Sequence, residues 1–192
     1  MTSLPARVVL AKHALPILDA SRPPREWRLA PDGDRQSKRL AAALQRFAPL
    51  RLVASPEPKA RRTAEIAAAA LGVSCTTIAG LEEIDRPALP IMPASEHERV
   101  NARLFTDFDR PVIGCESARD ARDRFTAAVV HELQRTTEDS LVVVAHGTVI
   151  ALLVSAHNPV DAFDLWQRLE CPSFVVLDVP RLRLLEVVAR VP

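Results

Sequence analysis

The sequence predicts an α/β fold, a three-layer α/β/α sandwich with a mostly parallel sheet. Three observations predict it. Short runs rich in Val, Leu and Ile recur at residues 7–11, 50–54, 141–145, 174–179 and 184–189. They are too uniformly apolar for a sheet with one wet face and suit strands covered on both faces. Between them lie helical patterns at 34–47, 59–71, 117–135, 148–156 and 160–169. Strands that alternate with helices lead to parallel pairing. Finally, three of the strands end alike, in Ala followed by a polar cluster.

The elements follow in order. The first strand, RVVLA, runs into Lys12-His13. Asp34 follows Gly33 and is placed to cap the helix over 34–47. The next strand, RLVA, runs into SPEPKARRTA at 55–64, where Pro58 suits the first turn of the helix over 59–71. Residues 84–113 then break the rhythm. The stretch DRPALPIMPASEHERV is Pro-rich and polar and ends in a short helical pattern. It reads as an insertion over one edge of the sheet, inside a single domain of residues 1–192. After the long helix over 117–135, the strand ending VVVA runs into His146-Gly147. Two further helical patterns and the last two strands complete the chain.

Composition narrows the function. A chain of 192 residues can bury a full core. Its 25 basic and 24 acidic residues leave a net charge of +1, without the basic footprint that nonspecific nucleic-acid binding needs. No apolar run is long enough to span a membrane. Lys12 and His13 interrupt the first apolar run, so it does not read as a signal peptide, and a cytoplasmic protein is expected. Cys75, Cys115 and Cys171 are far apart with no C-x-x-C pair, which argues for buried thiols over a disulfide framework or a structural zinc site. With five glycines there is no G-x-G-x-x-G, P-loop or G-x-S-x-G pattern, and the five histidines have no metal-ligand spacing. Neither a metal nor another cofactor is expected.

If the three strands that end in Ala are parallel, their carboxyl ends share one edge, where open α/β sheets bind ligands. Lys12, His13, Lys59 and His146 would meet there with two helix N-termini, whose free N–H groups favour an anion. That set suits a phosphate. Each piece has a plainer reading: a lone His at a strand end is more often structural, and KARR alone reads as a solvated helix face. The shared strand-end pattern shifts the balance. The lysines are notable because only three of the 25 basic residues are Lys, namely Lys12, Lys38 and Lys59.

With these motifs in order, the chain resembles the histidine phosphatase superfamily, the phosphoglycerate-mutase-like fold, over nearly its whole length. The family's strand followed by Arg-His-Gly is matched by Lys12-His13-Ala14. Its W-x-L, Gly and Gln signature is matched by Trp27, Leu29, Gly33 and Gln36. Ser55-Pro56 and then Lys59-Ala60-Arg61-Arg62-Thr63-Ala64 match S-P and R-A-x-x-T-A. Leu81-Glu82-Glu83 matches L-x-E, Gly114-Cys115-Glu116-Ser117 a G-x-E-S-like element, and His146-Gly147 the closing His-Gly.

The resemblance implies roles. His13 is then the nucleophile that becomes phosphohistidine. Glu83 protonates the leaving oxygen and later deprotonates water, with Glu82 and Asp85 as the alternative carboxylates nearby. His146, Lys12 and Lys59 hold the phosphoryl oxygens. Glu116 is expected to steady the following helix, and Arg61 and Arg62 to be solvated or paired. The implied activity is that of a metal-independent phosphomonoesterase acting on a phosphorylated small molecule, with inorganic phosphate as its product. A phosphoglycerate mutase is the second possibility; mutases of the family follow the acid with a Tyr/Gly-containing segment, whereas here IDRPALP follows Glu83 and the chain has no Tyr. The third is a noncatalytic phospholigand-binding protein, favoured by the two Lys-for-Arg changes and by Ala14, which a positive φ would strain. Specificity is expected from residues 84–113, with His97, Arg99, Arg103 and Arg110 placed to meet a leaving group.

Overall fold

The computed structural model describes residues 4–88 and 93–192. Six strands, β1 (Arg7–Lys12), β2 (Leu50–Ala54), β3 (Cys75–Thr77), β4 (Ser140–Ala145), β5 (Ser173–Asp178) and β6 (Leu184–Val188), form one sheet in the order β3-β2-β4-β1-β5-β6. Strand β4 lies between β1 and β2 and is parallel to both, while β3 is parallel to β2. Strands β5 and β6 run antiparallel to their neighbours at the other edge. The sheet is therefore mixed, and its parallel part carries the three strands that end in Ala.

Two helices, α1 (Pro31–Leu44) and α2 (Pro58–Leu71), cover one face. On the other face lie α3 (Ala94–Thr106), α4 (Ala118–Arg135), α5 (Gly147–His157) and α6 (Ala162–Arg168). Alternation along the strands feeds both layers. In β1, Val8 and Leu10 join the core under α4 and α5, whereas Val9 and Ala11 join the core under α1 and α2. In β4, Leu141 and Val143 go one way and Val142 and Val144 the other. Because neither face is wet there, residues 8–11 of β1 and 141–145 of β4 are apolar without a break.

Three local readings are corrected. Helix α1 starts at Pro31, three residues before the expected cap, and Ala30 is its N-cap without any side-chain bond. Proline starts a helix because its φ is preset and its missing N–H is one that has no partner there. Asp34 lies inside the first turn, its N–H donating to the Ala30 carbonyl. Strand β3 was not expected: it has three residues, two of them exposed Thr, and sits at the sheet edge. Cys115 is exposed and Cys75 and Cys171 are half-buried, so none is a fully buried thiol.

Residues 89–92 of the Pro-rich stretch lie outside the described residues. Its helical end is α3, which spans 13 residues. Among the described residues no helix is long and apolar enough to cross a membrane.

Candidate active site

Parallel pairing brings the ends of β1, β2 and β4 side by side. His13 follows β1 and its N–H donates to the Ala145 carbonyl of β4. Its side chain is buried, and Nδ1 lies 2.7 Å from the Ala14 carbonyl oxygen. A carbonyl only accepts, so Nδ1 carries the proton and Nε2 keeps its lone pair. Ala14 N–H donates to Thr63 Oγ1, and that hydroxyl donates to the Lys59 carbonyl, tying the end of β1 to α2. Among the described residues other than glycine, Leu182 alone has a positive φ. Ala14 is therefore unstrained, and the departure from Gly has no backbone cost.

His146 follows β4 as the N-cap of α5 and is buried beside His13, ring centroids 5.2 Å apart in an edge-on arrangement. Its Nε2 lies 2.9 Å from Ser55 Oγ, and its Nδ1 is buried with no protein partner among the described residues. Burial holds both imidazoles well below their ordinary range. His146, Lys59 and Lys12 add to that for His13, and Lys59 adds to it for His146. Both rings are thus neutral at pH 7. The phosphate reading expects His146 to serve as a donor; as a neutral ring it has one N–H to give.

Glu83 sits where α5 begins. Its carboxylate accepts from the N–H groups of Ile84, Thr148 and Val149. The helix N-terminus expected to face a phosphate thus holds the side chain of Glu83 instead. The segment that carries Glu83 is fixed by Arg124 of α4, whose guanidinium donates to the carbonyls of Gly80, Glu82 and Glu83. Glu116 in turn grips Arg124 with both oxygens, at 2.8 and 2.9 Å. Ser117 caps α4, accepting from Asp120 N–H. Glu82 pairs with Arg124 and Asp85 with Arg25.

The two lysines differ. Lys12 is half-buried, and its Nζ donates to the Leu169 carbonyl at 2.6 Å. Its stem crosses Gly147, where an added Cβ would stand 3.3 Å from the Lys12 chain. Lys59 is buried at 4% exposure, its Nζ bound to the Glu57 carboxylate and to the Pro24 carbonyl. Glu57 is itself buried; its other oxygen accepts from Glu83 N–H at 2.8 Å and lies 3.7 Å from His146 Nε2.

Lys12, His13, Lys59, Glu83 and His146 all line one cavity of about 540 Å³. A larger cleft of about 840 Å³ shares Glu83 with it but reaches neither histidine; Glu82 and Asp85 line that cleft and not the histidine cavity. Of the residues expected to meet a leaving group, His97 lines the cavity, whereas Arg99, Arg103 and Arg110 do not. Arg103 pairs with Asp107 on the surface. Arg61 and Arg62 pair with Glu65 and Asp34.

Three residues were missed. Arg86 lines the cavity, donates to Asn101 and Thr148, and has a buried Nε without a protein partner among the described residues. Burial lowers its pKa, against the pull of Glu83 and Glu57. The others are Glu57 and Arg124. Their sequence signal was slight: Glu57 sits inside the quoted S-P…K-A motif, but nothing local says that it is buried.

The rest of the family pattern shapes the lip of the cavity. Gln36 Oε1 accepts from Leu15 N–H, Leu29 bridges to Pro16, and Trp27 Nε1 donates to the Asp19 carbonyl. A Cβ on Gly33 would fall 2.5 Å from the Leu15 carbonyl oxygen, so only glycine fits beneath that turn. Among the described residues no three His, Cys, Asp or Glu side chains are grouped to hold a metal ion.

The family model for the histidine phosphatase superfamily, branch 1, matches residues 20–179. No curated protein matches the sequence. Among solved structures, a mycobacterial glucosyl-3-phosphoglycerate phosphatase is 20% identical with a TM-score of 0.73, over 95% of this chain and 96% of its own. That enzyme has also been solved with inorganic phosphate and with VO3. A structure named mycobacterial hydrolase 1 is 18% identical with a TM-score of 0.70, over 97% and 99% of the two chains. A protein of Thermus thermophilus, in mutant form, is 26% identical with a TM-score of 0.65, over 95% and 98%.

Proposed function

This chain belongs to the histidine phosphatase superfamily, branch 1, and on that premise we propose that it is a metal-independent phosphomonoesterase working through a phosphohistidine at His13. The observation that carries this reading is the state of His13. Its Nδ1–H is spent on the Ala14 carbonyl, so a neutral, buried Nε2 is left with a free lone pair. A nucleophilic imidazole needs that state.

In the first half-reaction Nε2 attacks phosphorus and the P–O bond to the leaving group breaks. The leaving oxygen takes a proton from the Glu83 carboxyl group. The phosphorylated ring keeps Nδ1–H, and the Ala14 carbonyl stabilises its positive charge. In the second half-reaction water attacks phosphorus, gives its proton to Glu83, and the P–N bond breaks to release inorganic phosphate. Lys12, Lys59 and His146 stabilise the charge on the three equatorial oxygens. Ser55 Oγ accepts from Glu57 N–H, which frees its own hydrogen for His146 Nε2. His146 then carries its proton on Nδ1 and turns it to a phosphoryl oxygen.

Residues 84–113 cover the site within a single domain of residues 1–192. This is supported by Arg86, Pro87, His97, Val100 and Ile113, which all line the cavity. The ligand is a phosphorylated small molecule or inorganic phosphate, by analogy with the phosphate and VO3 complexes of the mycobacterial enzyme. Turnover of p-nitrophenyl phosphate in EDTA, with acid-labile phosphate trapped on the wild type, tests the reading. Phosphate affinity without turnover would replace the enzyme with a phospholigand-binding protein.

A further inference from the structure

The cavity is larger than a phosphoryl group requires, and what lines the remainder is mostly apolar. Beyond the reacting groups its wall is made by Leu15, Leu18, Trp27, Val100, Ile113 and Trp166, with three prolines between them. The polar side chains in that wall are few, and one of them, Arg86, keeps a buried Nε without a protein partner among the described residues. Arg86 donates to Asn101 Oδ1 and Thr148 Oγ1. The His97 ring lies against Trp166, centroids 5.6 Å apart. Among the described residues the only carboxylate lining the cavity is Glu83, and no Asp, Asn, Gln or Ser lines it.

Such a wall discriminates. A polyol leaving group would lose water from its hydroxyls and find few acceptors in return. A flat apolar group would lose nothing it needs, and aromatic faces would receive it. Trp166 is packed among aromatic rings: it stacks on Phe163 at 5.8 Å and 15°, and Phe105 packs at 6.3 Å. At the lip, Leu15 and Leu18 are 41% and 54% exposed. Single exposed leucines are ordinary, but these two line the same cavity as both tryptophans.

Resting on the phosphatase reading and deepening it, we infer that the substrate is a phosphate monoester of a bulky apolar, preferentially aromatic, alcohol, and not a sugar or glycerate phosphate. The phosphoryl group meets Lys12, His13, Lys59 and His146, and the leaving group lies against Trp27, Trp166 and the leucine lip.

The test compares kcat/KM for 2-naphthylmethyl phosphate, glycerol 3-phosphate and glucose 6-phosphate. All three are alkyl esters of similar leaving-group basicity, so a difference reports on binding more than on bond cleavage. The expected preference for the naphthylmethyl ester is on the order of 100-fold. The double variant Leu15→Ser/Leu18→Ser should reduce that preference by about tenfold, through KM, since each lost apolar contact is worth at least a factor of several. Both positions are exposed, and a thermal melt checks the fold. Equal or reversed preference in the wild type overturns the inference even if p-nitrophenyl phosphate is turned over. If no ester is turned over, the reaction falls but the pocket can still be read. The chain's two tryptophans both line the cavity, so quenching of intrinsic fluorescence follows binding. Tighter binding of naphthylmethyl phosphate than of glycerol 3-phosphate supports the inference, and equal or weaker binding overturns it.

Discussion

Lys12 closes β1 and Lys59 lies in the first turn of α2, and each stands where the family pattern has arginine. Their surroundings are unlike. The Lys12 corner is half-open: one backbone carbonyl, from Leu169, receives the ammonium, and Gly147 leaves room for the stem. The Lys59 corner is closed and charged, with Glu57 and the Pro24 carbonyl around a buried ammonium. Glu57 also accepts the Glu83 N–H, so the Lys59 corner is wired to the proposed acid while the Lys12 corner is not. The difference teaches that one substitution made twice need not have one meaning. At Lys12 the smaller head is a half-buried cation that spends one donor on the Leu169 carbonyl. At Lys59 it completes an internal ion pair that steadies other working groups.

Both corners matter to catalysis only if they serve the same nucleophile. His13→Ala should lower turnover by on the order of 10⁴–10⁶ and leave no acid-labile phosphate on the protein. A folded His13→Ala protein with normal turnover would sink the mechanism and make the comparison pointless. Glu83→Gln comes next. It should cost on the order of 10²–10⁴ with an alkyl phosphate but far less with an activated aryl ester, since only the former needs a proton from the enzyme. Equal losses with both esters would move the acid elsewhere.

The lysines themselves sharpen the contrast. Lys12→Ala and Lys59→Ala should each lower turnover by on the order of 10²–10³, but only the second should lower stability much. Removing Lys59 leaves the Glu57 carboxylate buried and unpaired, which costs about 3–5 kcal/mol. Lys12→Ala frees only a carbonyl in a half-open place. Adding Glu57→Ala to Lys59→Ala should recover stability in denaturant melts without recovering turnover. If both single variants melt alike, the two corners are equivalent after all. Lys59→Arg should be the worse of the two arginine variants, because an enclosed site has to expand by about 1–3 kcal/mol to admit the larger head.

The smallest effect concerns the histidines between the corners. Burial depresses both pKa values, so in the folded state both rings stay neutral at pH values where the unfolded chain binds protons. Their neutral burial costs no stability above about pH 6.5, the ordinary imidazole value. Below it, each contributes a loss of up to about 1.4 kcal/mol per pH unit until its folded pKa is reached. Melts between pH 7 and 5 should show this slope, and His146→Asn should reduce it. The His13 ring should stay unprotonated well below its ordinary value, so an NMR titration that protonates it near pH 6.5 would contradict the neutral nucleophile.

Much of this arrangement is legible in the sequence. The parallel strands announced themselves because a strand buried on both faces is mostly apolar, and Lys12-His13 and His146-Gly147 mark where the apolar runs of β1 and β4 end. The carrying elements of the site could be read for the same reason. Strand β3 was not legible, since three residues with two exposed Thr carry no periodic signal. The start of α1 was misplaced because Pro31 initiates it by backbone geometry, while Asp34 offered a misleading side-chain cue. Arg124, Arg86 and Glu57 stayed hidden because their meaning lies in remote partners. Arg124 reaches carbonyls more than 40 residues away in sequence. Arg86 meets Thr148, 62 residues on, and the burial of Glu57 exists only once Lys59, His146 and Glu83 have converged.

The position of β4 has a consequence for how the molecule is assembled. Strands β1 and β2 do not touch as sheet neighbours; β4, made of residues 140–145, fills the gap between them. Register pairs such as Arg7 with Ser140 close loops of more than 130 residues. Non-local parallel pairing of this kind is slow, because loop-closure entropy is lost before the contacts compensate for it. During synthesis, then, the first imidazole emerges long before the second, and the strand that joins β1 to β2 is the last of the parallel strands to be made. A refolding experiment should recover helical signal well before it recovers phosphate binding, since the proposed binding edge exists only after the central strand has slid into place.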